Sequence, residues 1–293
     1  MHLIVYGLQV RLGRQDKDVG WMHMGMRMGV VVLLLLAAGG LRAQSSQAAH
    51  HVVDTMLLHV GNTGEHSNRY MYLSEERSDR TSGHLWTERV AETSVGKVRL
   101  LVAEDGQTLN PGRAAAERAR LADITAHPEA FQRREQAVKG DEQHAEQMLV
   151  LLQKGFLFEE PRVQGEDLQI TFRPDPMYQP LSLEERVMHG MSGSILVDER
   201  TMELHRIEAR LPADVSLGFG LLGTIRAGSS FSTTHEPEPG NEWKASAVDT
   251  EIDGKALFFK SIGKRESVVH RDFKLLQSDI SLPQAVKMLE SSS

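Results

Sequence analysis

The chain of 293 residues contains no cysteine. That removes disulfide frameworks, thiolate zinc sites, cysteine catalysis and a lipid-modified N-terminal cysteine from its repertoire. Aromatic residues make up only 5% of it, so the large apolar rings can be followed individually. No His-Glu-x-x-His spacing occurs, and the adjacent His50 and His51 cannot share one metal as an i, i+4 pair could. The neighbouring carboxylates Glu75-Glu76, Glu159-Glu160 and Glu184-Glu185 would point to opposite sides of a strand, so none forms a ready acid–base pair. Positive charge is also in short supply. The formal net charge is −7, and the first 43 residues hold five basic and two acidic side chains, leaving 28 Lys and Arg against 38 Asp and Glu, a net of −10. Such a domain lacks the basic clusters that nucleic acid and anionic membranes reward.

Long apolar runs are scarce as well, and the one present carries information. Arg27 precedes Gly29 to Gly40, followed by Leu41-Arg42-Ala43. This order of charge, apolar stretch and small residue predicts a signal peptide over residues 1–43, cut after Ala43, and a periplasmic or secreted protein. The run falls short of the roughly 20 apolar residues of a spanning helix, so no transmembrane span is expected in the mature chain. Residues 1–25 are long and polar for a signal, and Met22, Met24, Met26 and Met28 each offer a start.

Periodicity predicts an α+β domain over residues 44–293, mainly antiparallel β. Ser45 or Ser46 caps a short helix with Val52, Val53, Met56, Leu57 and Val60 on one side, ended by Gly61-Asn62. Strands follow at 70–76, 84–92 and 97–104. Ala, Arg, Glu and Gln then dominate a helical block at about 111–154, read as two helices broken near Gly140. Leu168, Ile170 and Phe172 alternate with polar residues, and Pro174, Pro176 and Pro180 impose an extended connection. A meander of strands runs from Gly193 to Leu276: 194–198 and 202–210 as a hairpin, 215–217, 224–234 with a bend at Gly228, 243–252 and 255–262 around Asp253-Gly254, and 268–276. About nine to eleven strands in one sheet would curl into a half-barrel, with the helices packed on its concave side.

Two fragments look enzymatic. Gly218-Phe-Gly-Leu-Leu-Gly223 fits the glycine pattern of dinucleotide loops, but a strand pattern follows it, so phosphates would meet no helix N-terminus. Gly190-Met-Ser-Gly-Ser194 approaches a nucleophile elbow but lacks its last glycine, and again a strand follows. No catalytic residue, cofactor or metal site is therefore expected, and Ser192 is the one place where a hydrolase reading would start.

The rings suggest another chemistry. Trp86, Phe172, Phe219, Phe231, Trp243 and Phe259, with Phe258 beside it, lie on successive strands. On the concave face of a curled sheet they would line an apolar cavity suited to a lipid or acyl chain; packed against the helices they would simply fill the core.

Phe172-Arg-Pro-Asp-Pro-Met-Tyr-Gln-Pro180, Met191 to Asp198, Asp214-Val215, Gly218 to Gly223, Gly228-Ser-Ser-Phe231 and Trp243 together resemble exported bacterial proteins of the periplasmic lipoprotein-carrier (LolA/LolB-like) superfamily. The likeness covers Phe156 to Leu276 well and Tyr70 to Glu104 loosely. It implies an antiparallel half-barrel plugged by helices and a non-catalytic role in envelope lipid or lipoprotein handling. The alternative is a protein-interaction or sensing module of the cell envelope, using a sheet edge or the helical block.

Overall fold

Alternating apolar and polar side chains write most of this chain into strands, and the computed structural model joins fourteen of them in one antiparallel sheet. It describes residues 47–60, 69–217, 223–256, 261–276 and 279–291. These belong to the unit Ala43–Ser293; the unit Met1–Arg42, with the expected export signal, lies outside the described residues.

In chain order the elements are α1 (47–60), β1 (Tyr70–Arg77), β2 (Trp86–Thr93), β3 (Gly96–Glu104), β4 (Gln107–Thr108), α2 (Pro111–Ala126), α3 (Pro128–Leu149), α4 (Leu151–Gly155), β5 (Phe156–Phe158), β6 (Arg162–Gln164) and β7 (Asp167–Pro174). They continue with α5 (Leu183–His189), β8 (Ser192–Asp198), β9 (Leu204–Arg210), β10 (Val215–Leu217), β11 (Gly223–Ile225), β12 (Ser230–Glu238), β13 (Glu242–Ala256), β14 (Ser261–Leu275) and α6 (Leu282–Ser291). The sheet order is β4-β3-β2-β1-β14-β13-β12-β9-β8-β7-β5, with β6, β10 and β11 attached beside it. The fold is thus α+β and mainly antiparallel, with an open sheet. Its strands outnumber the expected nine to eleven because β4, β5 and β6 have two or three residues each, too few to show a period of two, and because the expected strand 224–234 is divided around Gly228 into β11 and β12.

Three local expectations are corrected. Asp253-Gly254 is no hairpin turn: both residues lie inside β13, opposite Gly263 and Ile262. Glycine is needed there for close approach, since a Cβ on Gly254 would stand 2.7 Å from the Thr224 carbonyl of β11. The helical block breaks at His127-Pro128, not at Gly140, because Pro128 disfavours helical backbone at His127, which has φ −126° and ψ 61°. Two helices were not expected at all. Ser182 accepts a hydrogen bond from Glu185 N while Glu185 accepts from Leu181 N, and this starts α5. In the same way Ser281 and Gln284 cap each other at α6, whose Leu282, Ala285, Val286 and Leu289 are buried.

Register decides which face each residue takes, because paired residues point the same way. Ile170, Ile195 and Ile207 are paired across β7, β8 and β9, and their row continues through Thr233, Val248, Val268 and Glu76. At the β7–β9 end this face is covered: Val53 and Met56 of α1 and Leu151 and Leu152 of α4 join the three isoleucines in the larger core. Each such side chain contributes roughly 1.5–3 kcal/mol by leaving water. The next row runs Thr171, Ser194, Glu208, Ser232, Asp249, Ser267 and Arg77 on the other face. That second face is covered only at the β1–β3 end, where Met71, Ala91 and Val98 meet Leu121 and Ile124 of α2, Phe131 of α3 and Leu289 of α6. The helical cover is therefore divided between the two faces. No helix among the described residues is long and apolar enough to cross a membrane.

Candidate functional site: a polar groove on the uncovered face

Between the two helical covers the second face is open and concave. Arg77 of β1 and Ser192 of β8 border the same groove although four strands separate β1 from β8 in the sheet, so the sheet curls around it. Bulges bend strands, and the pairings β1–β14, β12–β13 and β8–β9 are each interrupted by one. The groove holds about 830 Å³.

Two rows of side chains make its floor. One is Ser192, Arg210, Ser230, Glu251 and Arg265, directly opposed across β8, β9, β12, β13 and β14. The other is Glu208, Ser232, Asp249, Ser267 and Arg77. Some charges are already neutralised: Arg206 meets Glu208 at 3.1 Å, Arg265 meets Glu251 at 3.4 Å, and Ser194 donates to Glu208 at 3.2 Å. The side chains of Arg210 and Asp249 are exposed and make no hydrogen bond or ion pair with the described residues. Gly228, with φ +92°, leaves room beside Arg210, since a Cβ there would come within 3.3 Å of its Nη2.

The rim at Ser78–Gly83 is held from behind by a buried ion network. Arg80 donates to Glu76 at 2.5 Å and to Glu88 at 2.6 Å, and Glu88 is buried. Burial pushes the Glu76 carboxyl up, but hydrogen bonds from Arg80 and Ser78 outweigh it and hold the group below the ordinary carboxylate range. Burial likewise opposes the charge on Arg80, and its bonds to Glu76 and Glu88 outweigh that and raise its pKa. Thr81 Oγ1 donates to the His84 carbonyl at 2.6 Å, Ser82 and Gly83 take positive φ, and Arg77 donates to the Gly83 carbonyl at 2.6 Å. On the opposite rim Gly193 brings β8 onto β9 so closely that a Cβ would collide with the Glu208 carbonyl.

Of the described ring residues only Phe231 borders this groove, and it borders the apolar core as well. Phe172 packs edge-on against Phe156 at 5.3 Å in the larger core. With Phe231, Met188 and Met191 it encloses a void of only about 10 Å³, the space of roughly one water probe. Trp86 lies near the other end of the sheet, donating to Glu104 at 3.0 Å beneath the guanidiniums of Arg80 and Arg113. Trp243 stands 5.7 Å from the ring of His205. Phe219, Phe258 and Phe259 lie outside the described residues. Sequence reasoning thus brings together two of the four described rings and misses the groove, whose members share no motif.

Of the enzyme-like fragments, Gly223 opens strand β11 and Ser192 opens strand β8, so neither leads into a helix. Among the described residues Ser192 Oγ has no histidine or carboxylate at hydrogen-bond distance, and no three His, Asp or Glu are grouped to hold a metal.

The β12–β13 hairpin bends over the first face near β1. Tyr70 donates its hydroxyl to the Pro239 carbonyl at 2.7 Å, and His270 Nδ1 donates to the Ala245 carbonyl at 3.0 Å. In this hairpin His235 is half-buried, and burial pushes its pKa down to about 4, with the nearby His205 adding to the effect. Its Nδ1 has no hydrogen-bond partner among the described residues.

No protein-family model, curated protein or solved structure matches the chain.

Proposed function

We propose that this chain is an exported, non-catalytic binding protein that holds an extended segment of a partner protein of the cell envelope in the polar groove. The contrast between the two concavities carries the reading: about 830 Å³ lined by hydroxyls and both signs of charge, against about 10 Å³ of apolar void. An acyl chain needs a predominantly apolar lining, and among the side chains bordering the larger space only Ala209 and Phe231 are apolar. The sheet edges offer little to a partner either: β4 and β5 have two and three residues and are too short to template an added strand, and on the outer side of β3 Glu135 accepts from Lys97 N and Arg120 donates to the Arg99 carbonyl. The apolar run before Ala43 supports export.

Selection of random linear peptides on the full chain tests the reading. Recovered peptides should bind Ser232→Trp, which fills the groove floor, at least tenfold more weakly; undiminished binding would remove the groove from the function. Organic extraction of the purified protein followed by mass spectrometry should yield no stoichiometric acyl lipid, and finding one would restore a lipid-carrier role.

A further inference from the structure

We infer that the groove contains two charge-selective seats, one for an anionic oxygen group at Ser192, Arg210 and Ser230 and one for a cationic group at Ser232, Asp249 and Ser267. The inference rests on the groove being the binding surface. In each triplet the central charge is flanked on both neighbouring strands by a serine directly opposite it. Within the two floor rows Arg210 and Asp249 are also the charges left without a partner among the described residues, whereas Glu208, Glu251 and Arg265 are in ion pairs and Arg77 is bonded to the Gly83 carbonyl. A guanidinium flanked by hydroxyl donors suits a carboxylate, to which it can bind bidentately. A carboxylate flanked by hydroxyls, which also accept, suits an ammonium or guanidinium.

The two seats are two strands apart laterally and one two-residue step apart along the strands. Strand spacing and rise therefore separate their centres by about 12 Å. In an extended peptide, side chains at positions i and i+4 lie on one side about 13 Å apart. An extended peptide with opposite charges four positions apart therefore matches both seats at once. Anionic polysaccharides match less well, because Glu208, Asp249 and Glu251 line the same floor and would repel a uniformly negative chain.

Fluorescence anisotropy on the full chain provides the test. The probe is a labelled ten-residue peptide of Ser, Thr and Gly carrying one Asp and one Lys four positions apart. It should bind at least tenfold more tightly than a peptide of the same composition with Asp and Lys adjacent. Arg210→Gln should lose about tenfold in affinity and should no longer distinguish Asp from Asn in the probe, while still distinguishing Lys from Gln. Asp249→Asn should show the mirror pattern. Both side chains are exposed, so an unchanged thermal midpoint is expected to accompany each loss. If both variants keep wild-type affinity and selectivity, the seats are wrong, even though library peptides excluded by Ser232→Trp would still support the groove. Absence of binding by every charged probe, or tighter Arg210-dependent binding of heparin than of the spaced peptide, would overturn the peptide occupant.

Discussion

The two ends of the sheet bury their apolar rows in opposite directions. At the β7–β9 end Ile170, Ile195 and Ile207 face α1 and α4, whereas at the β1–β3 end Ala91 and Val98 face α2, α3 and α6 on the other side. Each end has one helical layer, and neither layer reaches across the middle. Strands β13 and β14 thus carry exposed charge on the groove face, as Asp249, Glu251 and Arg265 do. A single sheet with two half-covers leaves a concave polar surface without any dedicated loop or domain interface.

The largest effects are expected from opening the two cores separately. Ile207→Ala and Leu121→Ala should each cost about 3 kcal/mol, and because the sites share no contacts the double variant should lose the sum within about 0.5 kcal/mol. Urea denaturation followed by circular dichroism would measure this, and a large non-additive term would mean that the covers are coupled through the sheet.

Acid should act next, at the hairpin rather than at either cover. His235 titrates near its ordinary value when unfolded and only at about 4 when folded, so from about pH 6.5 downward the unfolded chain takes up a proton that the native chain refuses. Stability should fall by about 2–3 kcal/mol between pH 6.5 and pH 4 and no further from this group below that. His235→Gln should flatten that part of the profile, and an unaltered pH dependence would acquit the histidine.

Removing one cap should matter less. Ser281→Ala should cost about 1 kcal/mol and make α6 the first site of limited proteolysis; unchanged cleavage would show that packing alone fixes the helix. The smallest effect is expected in the groove, where Glu251→Gln, which breaks a well-exposed pair with Arg265, should shift stability by less than about 0.5 kcal/mol. A larger loss would mean that the floor is built for stability rather than left for binding.

Much of the fold was legible because burial on one face leaves a period of two. The strands at Tyr70, Trp86, Gly96, Asp167, Ser192 and Leu204 and the buried side of α1 were all readable in this way. The caps at Ser182 and Ser281 were missed, although each serine is followed three residues later by Glu185 or Gln284. Asp253-Gly254 misled because glycine serves close packing as well as turns, and only the neighbouring Thr224 backbone tells which. Pattern gives the period of a strand but not the side of the sheet that its apolar face takes, so the divided cover could not be read. The groove was hidden for a related reason: Ser192, Arg210, Ser230 and Asp249 are spread over four strands, and each alone is indistinguishable from an ordinary solvated position.

The place of β1 in the sheet has a consequence for how the chain is made. β1 forms a hairpin-like meander with β2 and β3 soon after synthesis, but its other neighbour is β14, and the ion pair between Glu75 and Arg271 spans 196 positions. Until β14 emerges from the ribosome, β1 has an open edge and the two halves of the groove exist on unconnected pieces of chain. Closure then needs a search across those 196 positions, which predicts slow folding and a binding surface that forms only once β14 has been made.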